Sequence, residues 1–114
     1  MRVTSELWVS ALVRRAFGAG GFAAVERRGA AEAGAVFVVA RSRLGELRLF
    51  GPAPQTSYDE AKPSDRQFIL MVTTGDEEEV EGRLAREARF DSDLWVVEIE
   101  TAGALSDYLT LISD

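Results

Sequence analysis

The chain reads as an α+β domain: a mixed, mostly antiparallel sheet of four to five strands with two main helices on one face, in the order α-β-β-β-β-α-β plus a short C-terminal helix. Three observations predict this. Apolar residues recur at helical spacing near the start and again over 77–89. Runs rich in Val, Ile and Phe lie between and after them, bounded by Gly and Pro. The chain has 114 residues, enough for one core without disulfide staples.

The first helix is expected over about 6–17. Trp8, Val9, Leu12, Val13, Ala16 and Phe17 make one apolar stripe, Ser5 is placed to cap it, and Glu6 suits the positive helix end. Gly18-Ala19-Gly20-Gly21 stops it. A phosphate-binding glycine loop needs a strand before and a helix after, and here the order is reversed.

Three extended runs follow and read as an antiparallel meander. They are Phe22 to Arg27, the central-looking Ala35 to Arg41, and the alternating Glu46 to Phe50. The segment from Gly51 to Arg66 holds all three prolines, so neither a helix nor a central strand is expected through it. A fourth strand is expected from Gln67 to Thr73. Asp76 with Glu79 then resembles a capping box for a helix to about Arg89, whose apolar stripe is Val80, Leu84 and Ala88, with Glu79 and Arg83 spaced as an ion pair. Leu94 to Glu100 is a fifth strand, and a strand–helix–strand connection of this kind implies a right-handed crossover and a parallel pair. Leu105, Tyr108, Leu109 and Ile112 recur at helical spacing in the tail. Residues 1–100 are read as one domain and 101–114 as a tail, helical or partly disordered.

Composition excludes more than the motifs add. There is no Cys and no His, so disulfides, thiol nucleophiles, imidazole bases and ordinary zinc sites are ruled out. No metal and no cofactor is expected. No run is long enough to span a membrane or to act as a signal sequence, so a cytoplasmic, membrane-free protein is expected. Net charge is −6, divided as +4 over residues 1–51 and −10 over 52–114. The basic half and the acidic half fit head-to-tail self-association or an anionic partner.

Two constellations are candidate sites. Tyr58, Asp59 and Glu60, with Ser57 and Asp65 nearby, offer a donor and carboxylates; together with Gln55 and Arg66 they would form a ligand site under the 51–66 loop. Arg14, Arg15, Arg27 and Arg28, joined by Arg41, Arg43 and Arg48, would form a polyanion-binding surface by bidentate contacts. Overall acidity and the lack of interleaved aromatics argue against nucleic acid. Asp91-Ser92-Asp93 is read as turn chemistry rather than a cation site. Trp8 and Trp95 are read as core, the first helix against the last strand.

Three blocks resemble a family. Leu7-Trp8-Val9-Ser10-Ala11-Leu12-Val13-Arg14-Arg15, then Gly51-Pro52-Ala53-Pro54-Gln55-Thr56-Ser57-Tyr58-Asp59, then Arg86-Glu87-Ala88-Arg89-Phe90-Asp91-Ser92-Asp93-Leu94-Trp95-Val96-Val97-Glu98 are similar, in that order, to small bacterial proteins of the domain-of-unknown-function family numbered 1491. The likeness covers about residues 1–100. It implies a small cytoplasmic protein and brings no activity and no catalytic residues.

Two helices on one face would leave the other face of the sheet bare. The expected function is therefore a non-enzymatic, homo-oligomeric protein-interaction module, most simply a homodimer. The alternatives are a ligand or enzymatic site under the 51–66 loop, and polyanion or RNA binding through the Arg-rich half.

Overall fold

The computed structural model describes residues 3–54 and 66–112. The elements in chain order are α1 (Ser5–Gly18), β1 (Phe22–Arg27), β2 (Val36–Arg41), β3 (Leu47–Pro52), β4 (Gln67–Thr74), α2 (Glu77–Phe90), β5 (Trp95–Glu100), a single 3-10 turn at Leu105–Asp107, and β6 (Thr110–Leu111). The fold class holds: two helices and a mixed sheet, which has six strands among the described residues, in the order β1-β5-β2-β3-β4-β6.

The topology departs from the expected meander. β5 inserts between β1 and β2, antiparallel to the first and parallel to the second. β2, β3 and β4 pair antiparallel in sequence. β4 and β5 do run parallel across α2, as the crossover reading requires, but β3 and β2 lie between them. Local pattern identifies strands well but carries no information on which distant strand slides between two neighbours.

The two helices lie on opposite faces, not on one. Alternation along a strand separates the faces. Val36, Val38 and Ala40 of β2 pack with Val9, Leu12 and Ala16 of α1, together with Trp95, Val97 and Ile99 of β5 and Phe68 of β4. Phe37 and Val39 turn the other way and meet Leu47, Leu49, Val96 and Val80, with Leu84 and Ala88 of α2 alongside. The doubly apolar strands are thus buried on both sides within one protomer. The bare sheet face inferred from sequence does not exist.

The expected C-terminal helix is also absent. After one 3-10 turn the chain extends, and β6 pairs parallel with β4 at the sheet edge. Leu109 is buried, and Leu105 and Tyr108 pack against the α1-side core, so the tail completes that face. The helical spacing of these residues arises because a turn followed by a short strand sets several apolar side chains on one side.

Caps refine the picture. Thr4, not Ser5, caps α1, its Oγ1 accepting from the Leu7 N–H at 3.2 Å. Ser5 is instead buried and donates to the Gly34 carbonyl at 2.5 Å. α1 ends as expected at the glycines. Gly20 takes φ +83°, its N–H reaches the Phe17 carbonyl, and the Gly21 N–H reaches that of Ala16 at 2.8 Å, the paired bonds that close a helix around a left-handed residue. In α2, Asp76 Oδ1 accepts from the Glu78 N–H, and Thr74 rather than Glu79 satisfies the Asp76 N–H, so the full capping box does not form. The helical ion pair is Arg83–Glu87 at 3.1 Å rather than Glu79–Arg83. Pro52, expected outside any strand, is the last residue of β3, where its missing N–H costs least.

At the amino end of β5 a tight knot forms. Trp95 is buried and its Nε1 donates to the Ala30 carbonyl at 2.8 Å, while the Arg28 guanidinium lies 5.0 Å over the ring. The Ala30 N–H donates to the Asp93 carbonyl. A Cβ at Gly29 would run into the backbone carbonyl of Asp93 and the backbone of Leu94. Trp8 is half-buried and stacks on Phe68, with ring centroids 5.3 Å apart. Gly29→Ala is expected to destabilise the fold by ~1–3 kcal/mol, the usual cost of forced overpacking. The check is urea unfolding followed by Trp fluorescence; an unchanged midpoint would show that the 29–34 loop shifts freely.

Candidate functional site

β2, β4 and β5 run the same way, so their carboxyl ends meet at one pole of the sheet. The end of α1, the start of α2, the β2–β3 turn and the loop after β5 gather there too. In open sheets with parallel strands this is the end where ligand sites form. The turn is tight: Ser42 N–H donates to the Glu46 carbonyl, and Gly45 takes φ +86°.

Arg41, the last residue of β2, organises the pole. Its Nε and Nη2 hold the two carboxylate oxygens of Glu98 at 3.2 and 3.3 Å, and Nη2 also donates to Glu77 at the start of α2. The side chains of Arg41 and Glu98 are 30% and 19% exposed, so this fork is shielded better than a surface pair. The hydrogen bond to Glu98, then that to Glu77, raises the Arg41 guanidinium above its ordinary pKa. Arg41 therefore acts as a fixed cation joining the two parallel strands to α2.

A cleft opens on either side of it. The smaller, about 170 Å³, lies beneath α2. Its apolar floor includes Val39, Val80 and Val96, and Arg41 lines it together with Glu26, Glu77, Glu81 and Glu98. Among the described residues no three carboxylates converge to hold a metal ion. The larger, about 660 Å³, lies between the β2–β3 turn and the 101–105 loop. Ala40, Ile99 and Leu105 floor it, Arg41, Arg43 and Arg48 line it, and no carboxylate does.

The expected sites fare differently. Gln55, Tyr58 and Asp59 lie outside the described residues. Arg66 is half-buried and its Nη2 donates to the Val3 carbonyl at 3.2 Å. Arg14, Arg15, Arg27 and Arg28 do not form one surface. Arg14 is exposed, and Arg15 donates to the Tyr108 carbonyl near the end of α1. Arg28 pairs with Glu6 at the start of α1, and Arg27 donates to the Ser92 carbonyl. Two therefore stand at each end of the helix. Arg41, Arg43 and Arg48 are the arginines brought together. The Asp91-Ser92-Asp93 segment is structural: Asp91 Oδ1 accepts from the Asp93 N–H at 3.0 Å. The Glu77–Arg41–Glu98 group was missed because its members are 36 and 57 residues apart. A single Glu within the apolar run Trp95–Ile99 was the available signal.

Residues 3–106 match the family described as "Protein of unknown function (DUF1491)". The chain belongs to that family. Solved structures agree across nearly the whole length. A solution structure of a protein from A. tumefaciens has 51% identity and a TM-score of 0.82, covering 100% of this chain and 98% of the other. An NMR structure of a DUF1491 family protein from Caulobacter crescentus has 37% identity and a TM-score of 0.77, covering 99% of each chain. A crystal structure of a DUF1491 family protein from Caulobacter crescentus has 40% identity and a TM-score of 0.71, covering 88% of this chain and 87% of the other. No curated protein matches. The likeness extends past residue 100 and takes in the tail. No helix among the described residues is long and apolar enough to cross a membrane.

Arg41→Gln strands Glu98 among Glu26, Glu77 and Glu81 and is expected to cost ~1–3 kcal/mol. Arg41→Gln combined with Glu98→Gln should recover part of that loss, giving a coupling of ~0.5–3 kcal/mol in a denaturant double-mutant cycle. Strict additivity would show that the fork contributes nothing.

Proposed function

We propose that the protein is a non-enzymatic self-associating module whose contact is the outer edge of β1. The observation that carries this reading is the position of β1, which pairs with β5 on one side and, among the described residues, ends the sheet on the other. On the opposite side β6, two residues long, covers only Gln67 and Phe68 of β4 along its outer edge, which leaves a stepped border rather than one clean strand. Among the described residues no strand lies beyond β1, and its regular stretch from Phe22 to Val25, before a bulge at Glu26, is a template for another strand.

Side chains favour a second copy of this chain as the occupant. Phe22 and Val25 of β1 are 44% and 39% exposed, and Phe17 of α1 extends the apolar strip, meeting Phe22 edge-on at 5.8 Å. β1 is apolar from Phe22 to Val25 and charged at Glu26 and Arg27. Antiparallel pairing about a two-fold axis between Ala23 and Ala24 uses the regular part of the strand, before the bulge at Glu26, and sets Phe22 against Val25 of the second copy. Glu26 and Arg27 then lie outside the paired segment, so no like charges face each other within it. A two-fold contact of this kind is closed and stops at the dimer. It replaces the sheet face as the route to a homodimer, because both faces already carry a helix.

The contact is short, so association should depend on concentration. Sedimentation over roughly 10 µM to 1 mM, the range suited to a weak interface, is expected to show the mass rising from 12.5 kDa toward twice that value. Val25→Lys places a charge on the edge and should hold the chain monomeric with an unchanged circular dichroism spectrum. A wild-type chain that stays monomeric throughout, or a Val25→Lys chain that still dimerises, overturns the reading.

A further inference from the structure

We infer that the larger cleft at the carboxyl pole binds a small organic anion, its head held by Arg43 and Arg48 and its apolar body lying on Leu105, Ala102 and Ala104. Charge is the first ground. The protein carries 19 acidic residues against 13 basic ones, yet this cleft is lined by three arginines and no carboxylate. The neighbouring cleft, one strand face away, shows the opposite balance, four glutamates around one arginine. Arg41 is committed to Glu98 and Glu77 and holds the wall.

Arg43 and Arg48 have charge to spare. Arg43 is exposed at the β2–β3 turn and makes no ion pair among the described residues. Arg48 has only Glu46 at 3.8 Å, with both side chains about half exposed, a contact that contributes little. Glu46 does not line the cleft, and neither does Asp107, whose Oδ2 lies 3.5 Å from the Cβ position of Gly103. Two guanidiniums on one rim suit the paired oxygens of a carboxylate or a phosphate.

Shape and lining select the rest of the ligand. A volume of about 660 Å³ is in the range of small-molecule sites rather than of single ions. Ala40, Ile99 and Leu105 close the floor, and the alanines of the 101–104 loop extend the apolar lining from Leu105. Ser42 and Thr101 are occupied at the rim, Ser42 Oγ accepting from the Glu46 N–H and Thr101 Oγ1 donating to the Gly103 carbonyl. The turn and the loop are therefore braced before a ligand arrives. This site lies away from β1's outer edge and stands or falls independently of the dimer.

Amide chemical-shift titration of the full chain tests it, with acetate, hexanoate and inorganic phosphate as probes. Hexanoate is expected to shift the amides of residues 41–43 and 101–105 saturably, and to bind at least tenfold tighter than acetate, as a buried apolar body of a few methylenes requires. Arg43→Ala with Arg48→Ala should weaken that binding tenfold or more, Arg43→Ala alone should weaken it less, and Arg14→Ala should leave it unchanged. Equal binding of acetate and hexanoate, preference for inorganic phosphate, binding that survives the double substitution in a chain with native amide dispersion, or no saturable shift with any probe overturns the proposal.

Discussion

The parallel ladder between β2 and β5, from Val36 against Trp95 to Ala40 against Ile99, is the constraint around which everything else is arranged. A strand flanked on both sides has no edge, and these two are apolar on both faces, so each face needs its own cover. α1 and α2 provide it from opposite directions. The same ladder brings Arg41 beside Glu98 at its carboxyl end and sets Trp95 beneath the 29–34 loop at its amino end. The pole with its two clefts and the knot with its glycines are the two ends of one pairing.

The elements themselves were legible because their signals are local. Proline and glycine punctuation, the i, i+3, i+4 stripe of α1, and the short β-branched runs placed both helices and five strands within a residue or two. What failed was long-range. Nothing in Phe22–Arg27 or Val36–Arg41 says that Trp95–Glu100 lies between them. The doubly apolar pattern of Phe37 to Val39 was visible but was assigned to a missing partner. A helix on each face answers it with parts the chain already has. The tail was misread because helical spacing over a few residues does not distinguish a helix from a turn leading into a short strand.

The site was legible only in its ingredients. Arg41 and Arg48 flank the β2–β3 hairpin turn and Arg43 lies within it, a spacing that already implied proximity. Arg14 with Arg15 and Arg27 with Arg28 look stronger as doublets, yet each doublet sits at a different end of α1, and Arg15, Arg27 and Arg28 are bonded to backbone or to Glu6. Charge counted along the chain weighs doublets heavily. Charge counted in space weighs where cations gather with no carboxylate in the same lining, and Arg43 and Arg48 do so at the larger cleft.

The place of β5 in the sheet bears on how the chain comes off the ribosome. Four strands and both helices emerge before Trp95, but β1 and β2 have no correct neighbour in common until Trp95–Glu100 arrives. Their directions allow them to zip together directly in the meantime, and such a premature hairpin must reopen to admit the late strand. The folding rate of such a topology is governed by a long-range strand insertion rather than by the fast local helices.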